Sequence, residues 1–183
     1  NISVVNVLPD PSVSSQPISS QSLCAGATPT VLSVVGAGGT PALTYQWYSS
    51  SVNSYTASAS ILGASSFSYS PPVLTTGTTY YFCTISASGN GCNSINSQIS
   101  AVTIYAQPSI ASHPVTSQSI CVNGTPTTLS VTASGGSSNY SYQWYSNTVN
   151  SNATGTLVVG ANTSTYAAST ATAGTMYYYC LVQ

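Results

Sequence analysis

Charged side chains are almost missing from this chain. Its 183 residues include no lysine or arginine, and Asp10 is the only acidic residue. A typical soluble protein devotes about a quarter of its residues to these four types. Because lysine and arginine are the residues that neutralise phosphates, nucleic acids and anionic membrane surfaces are excluded as partners. A net charge near zero favours association between protein molecules, so self-association is expected.

Long apolar runs and trypsin sites are missing as well. No apolar run reaches the length of about 18 residues that a transmembrane helix needs, so no membrane insertion is predicted. The chain begins at Asn1 without a signal peptide, and we expect a mature product or an excerpt. The lack of lysine and arginine leaves trypsin-like proteases no cleavage site. This indicates either selection in a protease-rich exterior or a composition bias spread by duplication.

Residues for catalysis or metal binding are scarce. Asp10 and His113 are the only candidates for a titratable base, and each is interpreted as a solvated linker residue. The five cysteines form no Cys-x-x-Cys pair, and one histidine cannot complete a zinc site. We therefore predict no enzyme, no catalytic residues, no metal and no cofactor.

What the chain does contain is an internal repeat. The tetrapeptide Tyr-Gln-Trp-Tyr occurs at residues 45–48 and again at 142–145, an offset of 97 residues (142 minus 45). A fixed period of this kind indicates a tandem array of structural units. Asp10 and His113 are not shared by the two copies, which agrees with their interpretation as linker residues.

Strand signals dominate each unit, and no helix is predicted. Segments rich in Val, Ile, Thr and Tyr are bounded by clusters of Gly, Pro, Asn and Ser. In a unit of nearly 100 residues, this pattern predicts an all-β fold of antiparallel β-sandwiches. The segments are Thr30 to Val35, Leu43 to Tyr48, Thr78 to Ser86 and Gln98 to Tyr105.

Alternation assigns side chains to the two faces of the sheet, because successive residues of a strand point to opposite sides. The predicted inward set is Tyr45, Trp47, Tyr81 and Cys83, and the predicted outward set is Gln46, Tyr48, Tyr80 and Phe82. The second repeat copies both sets. The outward residues are the ones available to meet a partner.

These residues resemble immunoglobulin-like domains. Trp47 and the Tyr81-x-Cys83 pair look like the core tryptophan and tyrosine corner of that fold. Val34 stands where antibody domains carry their first cysteine, so their usual disulfide is missing. The early cysteine, Tyr-Gln-Trp-Tyr, Gly-Thr-x-Tyr-Tyr-x-Cys and the Gly91-Cys92 pair together resemble the repeats of giant surface adhesins in Bacteroidetes. Among these adhesins, the repeats resemble those of the gliding-motility adhesins exported by the type IX system. The resemblance covers the whole chain and implies an extracellular, cell-surface setting.

The offset also sets the domain boundaries. Subtracting 97 from residues 98–105 gives residues 1–8, where Ile2, Val5 and Val7 fall on apolar positions. Two explanations are open: the chain is a window from a longer array, which is favoured, or residues 1–8 complete the next subunit by β-augmentation. We predict that residues 1–8 are the last strand of a preceding repeat or a donor strand, 9–106 the first repeat, and 107–183 a second repeat without its last strand.

Five cysteines in an extracellular setting favour disulfides. Placing Cys24 and Cys83 at the same end of the sandwich predicts a bridge between them, and the repeat then predicts Cys121 with Cys180. Cys92 is left unpaired. The alternative is a hairpin bridge from Cys83 to Cys92.

Aromatic residues recur on the predicted outer face of both units. Their functional interpretation is an exposed platform that stacks against sugar rings or another subunit. The alternative, which is favoured, is that cross-strand aromatic pairs stabilise the sheet. The residues are Tyr48, Tyr80 and Phe82, and in the second unit Tyr145, Tyr177 and Tyr179.

Two functions compete at this point. The first is an extracellular structural repeat of a bacterial surface adhesin or filament: a disulfide-stiffened, protease-resistant stalk whose partners are neighbouring repeats. The second is an adhesion module that binds surface glycans or proteins. If the parent protein contains many near-copies of this unit, the structural role as a stalk is favoured over the adhesion module.

Overall fold

The computed structural model describes residues 2–39, 42–73, 75–88 and 92–183, so Asn1 and Gly91 of the motifs above lie outside it. Within these ranges every regular element is a β-strand. No helix in this part of the chain is long and apolar enough to cross a membrane. The chain divides into two compact units, Asn1–Tyr105 and Ala106–Gln183. The division falls one residue from the predicted boundary between repeats.

Unit 1 contains ten strands in the described residues. They are β1 (Ser12–Ser15), β2 (Ser20–Cys24), β3 (Leu32–Ser33), β4 (Val35–Ala37), β5 (Leu43–Ser50), β6 (Ala59–Ser60), β7 (Ser68–Tyr69), β8 (Gly77–Ala87), β9 (Ile95–Asn96) and β10 (Ser100–Tyr105).

Unit 2 contains seven strands. They are β11 (Ser109–Ser112), β12 (Leu129–Ser130), β13 (Thr132–Ser134), β14 (Tyr142–Asn147), β15 (Thr156–Leu157), β16 (Thr165–Tyr166) and β17 (Tyr177–Val182).

The strands of unit 1 form two layers. One layer has the order β2-β10-β8-β5-β6, with β9 also paired to β8, and the other consists of the pairs β1-β4 and β3-β7. All pairs are antiparallel except β2 with β10, which run parallel. This is the two-layer arrangement of immunoglobulin-like sandwiches. The predicted fold class is confirmed.

The core of unit 1 lies between these layers. Leu32 and Val34 enter it from one layer, and Trp47, Tyr81 and Cys83 enter it from the other. Trp47 and Cys83 are opposite each other in the β5–β8 register, so they share a face. Strand β10 supplies two further core residues, Val102 and Ile104.

Unit 2 forms a smaller core around Trp144, Leu129 and Val131. Its main sheet has the order β15-β14-β17, so no strand pairs with the second edge of β17 within the described residues. Residues 117–121 and 174–176 correspond by the 97-residue offset to β2 and to the first three residues of β8. They are not strands in unit 2. In unit 1 both segments pair with β10.

Residues 2–8 form no strand, and every one of them is exposed. Pro9 connects this segment to unit 1, because its carbonyl accepts a hydrogen bond from the Gly39 N–H at 3.1 Å. The assignment of residues 1–8 as a last strand or donor strand therefore stays a prediction.

Candidate functional site

The tryptophans of the repeated tetrapeptide build the same contact in both units. The indole N–H of Trp47 donates to the Ser66 carbonyl at 2.9 Å, and that of Trp144 donates to the Thr163 carbonyl at 2.9 Å. A buried tryptophan needs such a partner for its polar N–H. Each tryptophan thus ties its strand to the connection that leads into β7 in unit 1 and into β16 in unit 2.

The glutamines of the tetrapeptide, predicted to be exposed, are half-buried. The side-chain amide of Gln46 donates to the carbonyls of Trp47 at 2.8 Å and Ile61 at 2.9 Å. Gln143 repeats these bonds with Trp144 and Val158 in unit 2. Both N–H groups of the amide are therefore engaged inside the unit. That Gln46 meets a partner stays a prediction, and these bonds were not predictable because alternation fixes the side of the sheet but not the bonds made there.

The outer face of unit 1 carries a compact aromatic cluster. The rings of Tyr48 and Phe82 stack with centroids 5.0 Å apart and planes 7° apart. Tyr55 packs edge-on against Phe82 at 4.9 Å. Phe82 is only 3% exposed as a result. Its prediction as an exposed platform residue is wrong, because Tyr55 from the connection after β5 covers it.

A bulge in the last strand positions the Tyr55 ring. Residues 97–99 stand opposite only two residues of β8, since Asn96 pairs with Thr84 but Ser100 pairs with Tyr81. The Tyr55 hydroxyl donates to the Ser97 carbonyl at 3.0 Å. The Ser97 hydroxyl in turn accepts the Cys83 N–H at 3.0 Å. Bulges of this kind redirect backbone groups next to a pairing defect.

Unit 2 builds its aromatic pair differently. Tyr145 and Tyr179 stack at 5.1 Å with planes 6° apart. The residue equivalent to Tyr55 is Asn152. Gly155 lies beside the pair instead, and its N–H donates to the Tyr179 hydroxyl at 3.2 Å. A Cβ at position 155 would lie 2.6 Å from Cε1 of Tyr179, so any larger residue there would require the Tyr179 ring to shift.

Tyr80 and Tyr177 are the remaining residues of the predicted platform. Tyr80 is half-buried, and Tyr177 is 38% exposed. They lie two residues before Phe82 and Tyr179 on the same face. The structure thus brings the six residues together in two groups, one in each unit. In both groups the central rings contact each other.

Tyr55, Ser97 and Gly155 take part in these clusters, and sequence reasoning did not assign them. The only sequence signal at Tyr55 is that the equivalent residue of the second repeat is Asn152. Ser97 and Gly155 carried no signal, because their roles depend on strand register and on ring placement.

The structure separates the cysteines that the sequence paired. All five are free thiols. Cys24 pairs with Tyr105, one residue beyond the Ile104–Gly77 pair at the start of β8, whereas Cys83 pairs with Trp47 further along that strand. Residues 77 and 83 of one strand are about 20 Å apart, at about 3.3 Å per residue. A disulfide needs Cα atoms within about 7 Å.

The predicted Cys24–Cys83 bridge is therefore not formed, and neither is Cys121–Cys180, whose members are also free. Cys92 is half-buried and free. The prediction that Cys24 and Cys83 lie at the same end of the sandwich is wrong, because Cys83 lies six residues along β8 from the end near Cys24. Burial raises the pKa of the Cys83 thiol to about 11, which keeps it neutral and unreactive.

The two titratable candidates lie apart from the aromatic clusters. Both carboxylate oxygens of Asp10 accept hydrogen bonds from Asn93, one from its side-chain amide and one from its backbone N–H, each at 2.9 Å. These bonds hold the pKa of Asp10 below its ordinary value. His113 is exposed after β11. Among the described residues, no three His, Cys, Asp or Glu side chains gather as metal ligands.

A family model described as a domain of unknown function (DUF8696) matches residues 13–106 and again residues 111–183. The chain belongs to this family. Each unit accordingly carries one DUF8696 match, in agreement with the 97-residue repeat. No curated protein matches this DUF8696 chain.

Solved structures similar to the DUF8696 chain contain several immunoglobulin domains in tandem. The Sidekick-1 structure of immunoglobulin domains 1–4 matches with a TM-score of 0.54 and 17% identity, over 78% of this chain and 36% of that one. The I-band fragment I67–I69 from titin matches with a TM-score of 0.55 and 14% identity, over 84% and 49%. The chain thus spans less than half the length of either structure. At these identities the likeness shows the fold alone: tandem immunoglobulin-like β-sandwiches.

Proposed function

We propose that this chain is an extracellular structural repeat of a bacterial surface adhesin or filament, and that its partners are neighbouring repeats. The observation that carries the proposal is the internal use of the repeated residues. In both units the copied tryptophan and glutamine bond to the unit's own backbone, and the copied aromatic rings stack on each other. What the duplication preserves is the means of building the unit.

The setting rests on composition and on the adhesin resemblance. A chain without lysine or arginine offers trypsin-like proteases no site. Its motifs resemble the repeats of Bacteroidetes gliding-motility adhesins, which supports a cell-surface location. Disulfide stiffening is no longer part of the proposal, because the cysteines are free. Each unit instead relies on its own packed core.

Electron microscopy of the native assembly, labelled with an antibody against unit 1, tests this function. We expect label along extended structures outside the cell. Label confined to the cytoplasm would contradict the proposal.

A glycan array probed with the 183-residue chain tests the competing role of a binding module. Because the stacked rings contact each other, we expect no specific glycan signal. A specific glycan signal that is lost in the Tyr80→Ser variant and also in the Tyr177→Ser variant, each still folded, would favour the binding module instead.

A further inference from the structure

We propose that Asn123 is a site of spontaneous deamidation, at which the side-chain amide becomes a carboxylate. The reactive group is the pair Asn123-Gly124, in the turn formed by residues 121–124 of unit 2. The backbone nitrogen of the residue after an asparagine can attack the side-chain amide carbon. Glycine leaves this nitrogen open to react, because it has no side chain to shield it. The proposal goes beyond the structural role, since it assigns a chemical modification to the folded unit.

The turn holds Asn123 in a left-handed backbone conformation. Its φ is 63°, a value that asparagine adopts more readily than most residues. The Gly124 N–H closes the turn by donating to the Cys121 carbonyl at 2.9 Å. Asn123 is exposed, so water can reach its side chain. The asparagine is therefore both suited to the turn and accessible to solvent.

Unit 1 contains the same turn at residues 24–27. There the Ala27 N–H donates to the Cys24 carbonyl at 3.0 Å, and Gly26 has a φ of 90° at the position equivalent to Asn123. The turn thus belongs to the repeated structure of the unit, and its third position takes a left-handed residue in both copies. Unit 2 fills this position with a residue that can deamidate, whereas the glycine of unit 1 cannot.

Packing favours glycine at the next position. A Cβ at Gly124 would lie 2.7 Å from Cγ2 of Ile120 and 3.0 Å from the carbonyl oxygen of Cys121. Any larger residue there would require the Ile120 side chain to shift and would crowd the backbone of the turn. The fold therefore places the residue that leaves Asn123 most reactive directly after it.

The reaction requires only water. After the Gly124 N–H leaves the Cys121 carbonyl, its nitrogen bonds to Cγ of Asn123 and the bond from Cγ to Nδ2 breaks. The Nδ2 group leaves as ammonia with the proton of the Gly124 N–H, and a succinimide ring remains. Water opens this ring at either carbonyl. Opening at Cγ gives aspartate, and opening at the main-chain carbonyl gives isoaspartate, whose main chain runs through Cβ and Cγ.

Isoaspartate would disrupt the contacts that hold the turn. The Asn123 N–H donates to the Thr170 carbonyl at 2.9 Å, and the Thr170 hydroxyl donates to the Gly124 carbonyl at 2.8 Å. These bonds join the turn to the connection between β16 and β17. Because isoaspartate adds a main-chain carbon between Asn123 and Gly124, the two bonds to Thr170 cannot both keep their geometry. Either product also adds a negative charge to a chain whose net charge is -1.

Peptide mapping of the folded 183-residue chain, after incubation at mildly alkaline pH, tests the site. Pepsin at acidic pH, where deamidation is slow, replaces trypsin because the chain has no lysine or arginine. The pair Asn90-Gly91 reaches beyond the described residues, so the assay uses an Asn90→Gln background. The references are three exposed asparagines of unit 2 that precede a larger residue: Asn139, Asn152 and Asn162.

We expect deamidation at Asn123 to be about tenfold or more faster than at each reference asparagine, which corresponds to a barrier lower by at least about 1.4 kcal/mol. Equal rates at the four positions, or no product at Asn123, would overturn the proposal. A synthetic peptide of residues 119–127 should react faster than the folded chain, because its Gly124 N–H is not held by the turn. Equal rates in peptide and chain would contradict a reaction that requires the turn to open.

Two variants separate the chemistry from the turn. Asn123→Gly gives unit 2 the residue that unit 1 has at Gly26, so the turn should form and no product should appear. Asn123→Asp carries the charge without the added main-chain carbon, and aspartate also tolerates the left-handed conformation. Hydrogen exchange at the amides of residues 123 and 124 is the readout.

In the aged chain, we expect the fraction of molecules with fast exchange at these amides to equal the isoaspartate fraction. Fresh Asn123→Asp and aged Asn123→Gly should both keep slow exchange. Fast exchange in fresh Asn123→Asp would overturn the role of isoaspartate, because the charge alone would then open the turn. The same increase with age in Asn123→Gly would show that deamidation is not the cause.

Discussion

The edge of the Tyr55 ring packs against Phe82, with 4.9 Å between ring centroids and 81° between ring planes. Because Tyr55 also donates to the Ser97 carbonyl at 3.0 Å, it joins the connection after β5 to the bulge before β10. One tyrosine therefore covers a ring that alternation alone predicts to be exposed.

Replacement of Tyr55 tests this cover. We expect Tyr55→Ala to lower the free energy of unfolding of unit 1 by about 2 kcal/mol, the sum of a lost aromatic contact and a lost hydrogen bond. Tyr55→Phe, which loses only the hydrogen bond, should cost about 1 kcal/mol. Urea unfolding followed by Trp47 fluorescence, in a Trp144→Phe background, measures unit 1 alone. Asn152→Ala, followed by Trp144 in a Trp47→Phe background, is the matched control, with an effect within about 0.5 kcal/mol.

Gln46 provides a test of the tetrapeptide's internal role. Gln46→Glu replaces an amide that donates to two carbonyls by a carboxylate that can only accept. At pH 7 we expect a loss of about 1–3 kcal/mol in the unfolding free energy of unit 1. The carbonyls raise the pKa of the introduced carboxyl, so the loss should shrink as pH falls towards 4 and the group becomes protonated. Gln143→Glu should do the same to unit 2. An effect that does not depend on pH would contradict the hydrogen-bond assignment.

The sequence predicts a residue's position well when strand periodicity alone determines it. It predicts the position poorly when a contact from another segment determines it. Trp47, Tyr81 and Cys83 are predictably inside, because strand periodicity alone determines their face. The burial of Phe82 was not predictable, since it depends on Tyr55 from a connection with no periodicity.

The cysteine pairing failed for a related reason. It required the register of β2 against β10, and the sequence contains no signal for a parallel pair between strands so far apart in the chain. A misjudged position along β8 then moved Cys83 to the wrong end of the strand.

Gly155 offers a steric test that unit 1 does not share. Gly155→Ala would place a Cβ 2.6 Å from Cε1 of Tyr179, so the stacked pair must shift. We expect unit 2 to lose about 1–3 kcal/mol of unfolding free energy, measured by Trp144 fluorescence. In a Tyr179→Ala background the same substitution should cost little, because the clash is gone. Equal costs in both backgrounds would show that the tyrosine is not the obstacle.

Thiol labelling tests the correction to the cysteine framework. Cys24 and Cys121 are exposed, so iodoacetamide should modify them in the native protein. Cys83 is buried with a raised pKa and should react only after unfolding. Mass spectrometry of peptides after timed labelling measures the order. A Cys24–Cys83 peptide in a non-reducing digest would contradict the strand register of unit 1.

Alkaline pH should destabilise unit 1 through groups that are neutral in the core. Burial raises the pKa of Cys83 from its ordinary 9.0 to about 11, and that of Tyr81 from 10.0 to about 12. Between pH 9 and 12 the unfolded chain loses these protons while the folded unit keeps them, so the free energy of unfolding falls as pH rises. Their contribution is complete below pH 9, where both states are protonated.

Urea unfolding of unit 1 at intervals between pH 8 and 11 measures this loss. Cys83→Ala should lower stability at pH 8 because it leaves a small cavity, yet reduce the slope of stability against pH above 9. Cys24→Ala, which removes an exposed thiol, is the matched control and should leave the slope unchanged. If Cys83→Ala also leaves the slope unchanged, the thiol already titrates normally in the folded unit. Its burial against Trp47 would then be contradicted.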